Sequence, residues 1–75
     1  MKEIVAKRIK SARILAGLSL RELSNKLEGL VSYNAISKYE KAIMMPDSKV
    51  LIQMAKVMNV KPDYFFRPFT VEIDN

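Results

Sequence analysis

The chain holds only two glycines, Gly17 and Gly29, and each falls where a helical stripe of apolar residues stops. Val5, Ile9, Ala12 and Ala16 follow the +4, +3, +4 spacing of one helix face. Gly17 comes next, and a residue without a Cβ closes a helix in left-handed geometry at no steric cost. The spacing predicts a first helix over residues 2–16. Leu20, Leu23, Ser24 and Leu27 repeat at +3, +4 and +7 until Glu28, Gly29 and Leu30 break the pattern, which predicts a second helix over residues 20–27. Helices this short are marginal alone in water. They must bury their stripes against one another.

The start signals agree with these stops. Ser19 to Glu22, "SLRE", is a capping box: the serine hydroxyl can accept from the Glu22 amide while the glutamate reaches back to the Ser19 amide. Ser32 is an N-cap for a third helix over residues 33–41, with Ala35, Ile36 and Tyr39 facing inward. Asp47 or Ser48 caps a fourth helix whose stripe is Leu51, Met54, Ala55 and Met58, and Asn59 suits a left-handed stop. Pro62 fits the first position of a short fifth helix over residues 62–66. The expected fold class is all-α, a bundle of five short helices. Helices 20–27 and 33–41, joined by a Gly-bearing turn, have the helix-turn-helix arrangement.

Composition narrows the chemistry. Seventy-five residues make one domain without room for a deep substrate cleft. The chain has no Cys and no His, so thiolate nucleophiles, imidazole bases, disulfides and the usual zinc ligands are all absent. With two glycines there is no phosphate-cradling loop, and the scattered Glu and Ser sit in cap or pair positions. The chain reads as a non-enzyme with no cofactor and no metal. Met54 and Met58 read as core filler. The charged start, "MKEIVAKRIK", has no apolar signal region, and no apolar run approaches about 18 residues. A cytoplasmic protein without a membrane segment is expected.

Net charge is +5, with a pI near 9.7. Residues 1–45 hold nine Lys/Arg against four Glu, whereas residues 46–75 hold four of each sign. The positive field belongs to the first half, which suits a polyanion such as nucleic acid.

The stretches "RIKSARILAGLSLRELSNKL", "VSYNAISKYEKA" and "MPDSKVLIQMAKVMNV" together resemble the lambda-repressor-like, or Xre-type, helix-turn-helix domains of bacterial and phage transcription regulators. The likeness covers residues 6 to 66, and its specificity lies in the order and spacing of the pieces. It implies a sequence-specific double-stranded DNA binder, working as a homodimer on DNA. We expect residues 1–66 to be the DNA-binding domain and 67–75 a tail or linker. "DYFFRPFTVEI" is similar to the junction in Xre-type regulators linked to a zinc metallopeptidase-like domain, which implies such a domain as partner in cis or in trans. Without any His this chain is not the peptidase itself. Phe69, Val71 and Ile73 alternate with Thr70 and Glu72, a strand pattern that calls for a partner surface.

In this frame residues 33–41 form the recognition helix. Tyr33 and Ser37 are neighbours on its surface, as are Asn34 and Lys38, opposite Ile36. Asn suits an adenine edge and Lys suits guanine acceptors, so these four are the expected base contacts, against the plainer reading of a solvated helix face. Ser19 and Ser32 are caps first; the resemblance also brings both near phosphate, where free helix amides favour an anion. Arg21 and Lys41 are further phosphate candidates, giving affinity and register rather than sequence choice. The resemblance assigns Arg13 and Glu40 to a structural ion pair between helices 1 and 3.

Two departures stand out. Leu20 occupies the position where many family members place a Gln that holds phosphate and braces the recognition helix. The link between helices 2 and 3 is about two residues longer than the compact family turn, so "EGLV" either extends helix 2 or bulges. The rival reading is a protein-interaction module, binding a peptidase, toxin or polymerase subunit, with its basic charge incidental.

Overall fold

A computed structural model describes residues 1–68 of the chain. The alternation at Phe69, Val71 and Ile73 lies outside the described residues. Four α-helices follow one another: α1 (Lys2–Leu15), α2 (Leu20–Lys26), α3 (Tyr33–Glu40) and α4 (Ser48–Met58). The expected fifth helix is instead a 3₁₀ turn, Pro62–Phe66, with its proline in the first turn. A five-residue segment starting at Pro is too short to repeat the α-helical bond, and i→i+3 bonding is its natural form.

The caps are side-chain caps. Ser19 accepts from the Glu22 amide at 3.0 Å and the Ser19 amide donates to Glu22 Oε1 at 2.8 Å, completing the capping box. Ser32 accepts from the Ala35 amide and Asp47 from the Val50 amide.

All four helices end the same way. In α1, Gly17 N–H donates to Ile14 O and Leu18 N–H to Arg13 O. The same pair of bonds recurs at Glu28 and Gly29, at Ala42 and Ile43, and at Asn59 and Val60. This is the Schellman closure, and it requires a left-handed residue. Gly17, Glu28, Ala42 and Asn59 fill that role, with φ of 74°, 56°, 61° and 58°. Ala16, expected on the buried stripe of α1, is exposed; it sits at the C-cap, where the chain already turns away from the core.

α1 lies against both α3 and the 3₁₀ turn, α2 against α3, and α4 against the 3₁₀ turn. Their shared core includes Val5, Ile9, Leu23, Ile36, Met54 and Phe65, each fully buried. Phe65 lies in the 3₁₀ turn that packs on α1 and α4, and burying such a ring contributes about 2–3 kcal/mol. Tyr39 is buried at the same interface; burial, then the negative charge of Asp47, raises its phenol pKa above the ordinary value.

Candidate nucleic-acid interface

α3 is held at both ends. At its start, Ser32 caps the first turn. At its end, Glu40 receives two bonds from Arg13 of α1, Nε to Oε2 at 2.7 Å and Nη2 to Oε1 at 3.0 Å. Between them Ile36 and Tyr39 are buried. The opposite side carries Asn34 and Lys38, both exposed, with Tyr33 and Ser37 half-buried beside them. The helix is thus fixed in pose while one face stays polar and open.

The link between α2 and α3 is a bulged turn rather than an extension of α2. Glu28 and Gly29 are both left-handed, at φ of 56° and 77°. Ser24, on α2, donates its hydroxyl to Val31 O at 2.8 Å and ties the far side of the turn back to the helix. Val31 packs against the core.

Leu20 is half-buried against the core and offers no polar group at the start of α2. Its neighbour Arg21 braces α3 instead. The Arg21 guanidinium lies 4.3 Å from the Tyr33 ring centroid, and Nη2 donates to the Tyr33 hydroxyl oxygen at 3.2 Å. Neither the spacing nor the composition announced this pairing.

Three hydroxyls on this side share a feature. Ser19, Ser32 and Tyr33 each accept an internal N–H, from Glu22, Ala35 and Arg21 respectively. A hydroxyl that accepts from an N–H must send its own hydrogen elsewhere. All three can therefore donate outward. In the Ser19 box, the bonds from the Ser19 backbone and side chain lower the Glu22 pKa, keeping that carboxylate charged. Lys41 is exposed at the C-cap of α3, at the other end from Ser32.

Arg8 was not singled out by the sequence. It donates to the carbonyls of Arg67 and Pro68, at 2.9 and 2.8 Å, and lies 4.8 Å from the Tyr64 ring centroid. α1 therefore grips the C-terminal end of the described chain with Arg8 and α3 with Arg13. No group of His, Cys, Asp and Glu among the described residues is placed to hold a metal ion. No described helix is long and apolar enough to cross a membrane.

A capped α2, a turn, and a locked α3 with a free polar face define a helix-turn-helix domain. The helix-turn-helix family model matches residues 9–65, and the chain belongs to that family. The chain is also 35% identical over 60 residues to the HTH-type transcriptional regulator ImmR of Bacillus subtilis (strain 168), covering 80% of this chain and 46% of that protein. It spans under half that regulator's length. No solved structure gives a significant match. Family membership agrees with the lambda-repressor-like, Xre-type reading of the sequence. The family match ends at residue 65, within the stretch "DYFFRPFTVEI" (residues 63–73), and carries no finding on a peptidase-like partner.

Proposed function

We propose that this domain binds double-stranded DNA sequence-specifically within a non-enzymatic, cytoplasmic transcription regulator, with α3 in the major groove. The observation that carries this is the pose of α3: buried Ile36 and Tyr39 and the Glu40–Arg13 pair fix it, while Asn34 and Lys38 stay exposed. A reading helix needs both a rigid mount and a free polar face. Tyr33, Asn34, Ser37 and Lys38 are the base contacts of this reading. Ser19, Arg21, Ser32 and Lys41 are its phosphate contacts, and the outward hydroxyl hydrogens of Ser19 and Ser32 support that role. The partner of the resemblance at the junction, in cis or in trans, is a zinc metallopeptidase-like domain.

Selection of bound duplexes from a random pool tests this reading. The expected result is two half-sites about 10–10.5 base pairs apart, centre to centre, as a homodimer on DNA requires. Affinity for the selected site falls steeply with salt, with a log–log slope of about −0.9 per neutralised phosphate. Binding that shows no preference over random duplex at any salt concentration would overturn it.

A further inference from the structure

Arg21 and Tyr33 meet in two ways, through the ring face and through the hydroxyl. A guanidinium has donors and no acceptor. Tyr33 Oη therefore accepts from Arg21, and its own hydrogen has to leave in another direction. The ring face under the guanidinium is occupied too, so it offers no apolar surface to a methyl group. Tyr33 is left with an outward donor, on a phenol that a neighbouring cation holds in place. Arg21 uses only Nη2 in this bond, and its side chain is exposed.

Resting on the DNA-binding reading above, we infer that Tyr33 reads a base acceptor in the major groove as a hydrogen-bond donor, and that Arg21 is the residue that positions it. The major-groove edge offers acceptors at guanine N7 and O6, adenine N7 and thymine O4, whereas cytosine presents its N4 amino group as a donor. A hydroxyl that already accepts from Arg21 and turns its hydrogen to the base meets cytosine donor to donor. Tyr33 therefore disfavours cytosine on the strand it reads. The remaining N–H groups of Arg21 are free to meet the adjacent phosphate, so one guanidinium sets both the register and the direction of the reading hydroxyl.

The test uses the 75-residue chain and a duplex selected from a random pool. Each half-site position is replaced in turn by the other three bases, and affinities are read by fluorescence anisotropy. Wild type is compared with Tyr33→Phe, Arg21→Met, Arg21→Lys and the Tyr33→Phe/Arg21→Met double variant. The expected result is one position per half-site where cytosine lowers wild-type affinity roughly 3- to 10-fold, the size of one hydrogen bond. Tyr33→Phe and Arg21→Met abolish that penalty, the double variant adds nothing further, and Arg21→Lys, which keeps a cation and a donor, retains it. A Tyr33→Phe loss that is uniform over all sequences puts the hydroxyl on phosphate and overturns the inference. So does a cytosine penalty that survives Arg21→Met. If wild type selects no site at all, the DNA-binding reading itself fails and the inference falls with it; a selected site with either of the two preceding results sinks the inference alone.

Discussion

Arg13 and Glu40 form a two-pronged ion pair across the α1–α3 interface, with side chains only 14% and 7% exposed. The third arm of the guanidinium, Nη1, donates to Leu18 O at 2.9 Å, so one side chain joins α1, the turn after it and α3. The bond to Glu40 raises the Arg13 pKa above its ordinary value despite desolvation. Removing one partner strands the other in a poorly hydrated place. Glu40→Ala and Arg13→Ala should each lower unfolding free energy by about 3–5 kcal/mol, read by urea denaturation. The double variant Arg13→Met/Glu40→Leu should be more stable than either single one, because loss of the attraction is offset by the relieved desolvation. A double variant as unstable as the singles would mean the pair contributes net stability rather than pose.

α3 is flanked by left-handed stops that lack glycine, Glu28 before it and Ala42 after it. An L-residue in this region costs about 1–2 kcal/mol, and glycine avoids that while giving up about 0.5–1 kcal/mol of unfolded-chain entropy. Ala42→Gly and Glu28→Gly should each stabilise the fold by about 0.5–1 kcal/mol. Gly17→Ala should do the reverse by a similar amount, since a Cβ there meets nothing within 4 Å and only the backbone objects. Thermal melts of the three variants check the signs, and a destabilised Ala42→Gly would contradict the strain assigned to that stop.

Helix starts were legible in the sequence because they are local chemistry. Ser19, Ser32 and Asp47 cap through atoms three residues away, and the cap residue types advertise the bond. Helix stops were half legible. Gly17 and Asn59 are types that take φ > 0 readily, whereas Glu28 and Ala42 are types that do not, and they take it as part of the bond pair that closes their helices. The Arg13–Glu40 pair was reached only through a family resemblance, because nothing in a spacing of 27 residues sets it. Arg21 on Tyr33, and Arg8 on the carbonyls of Arg67 and Pro68, depend on how helices cross, which no single stretch encodes. Phe65 went unnoticed for a related reason. It lies in a turn too short to show a period, yet it is fully buried.

The capping box should make α2 sensitive to acid. Hydrogen bonds from the Ser19 backbone and side chain hold the Glu22 pKa below its ordinary value. A depressed carboxylate pKa adds stability above the ordinary Glu range, near about 4.3, and that stability disappears as pH falls through the depressed value. Glu22→Gln keeps an acceptor for the Ser19 amide but has no charge to titrate. Wild type should therefore melt higher than Glu22→Gln at neutral pH, and the two melting temperatures should converge as pH drops below the Glu range. A gap that is constant with pH would assign the difference to packing rather than to ionisation.

Asn34 and Lys41 lie at opposite ends of α3 and separate the two kinds of DNA contact in the proposed function. Asn34 is on the open face of the helix, where a side-chain amide can pair with both groups on an adenine edge; each such bidentate contact is worth about 1–3 kcal/mol of discrimination. Lys41 is at the C-cap and offers a mobile point charge with no directional pattern. Asn34→Ala should therefore relax sequence preference at one base position while leaving the salt dependence unchanged. Lys41→Ala should weaken binding about equally for every duplex and make the log–log salt slope less steep by about 0.9. Both are exposed, so neither change should alter the thermal melt by more than about 0.5 kcal/mol. Anisotropy titrations on the selected site and its single-base variants, at two or more salt concentrations, distinguish them. If Lys41→Ala changed base preference instead, the C-terminal end of α3 would lie in the groove, and the docking pose proposed here would have to be turned end for end.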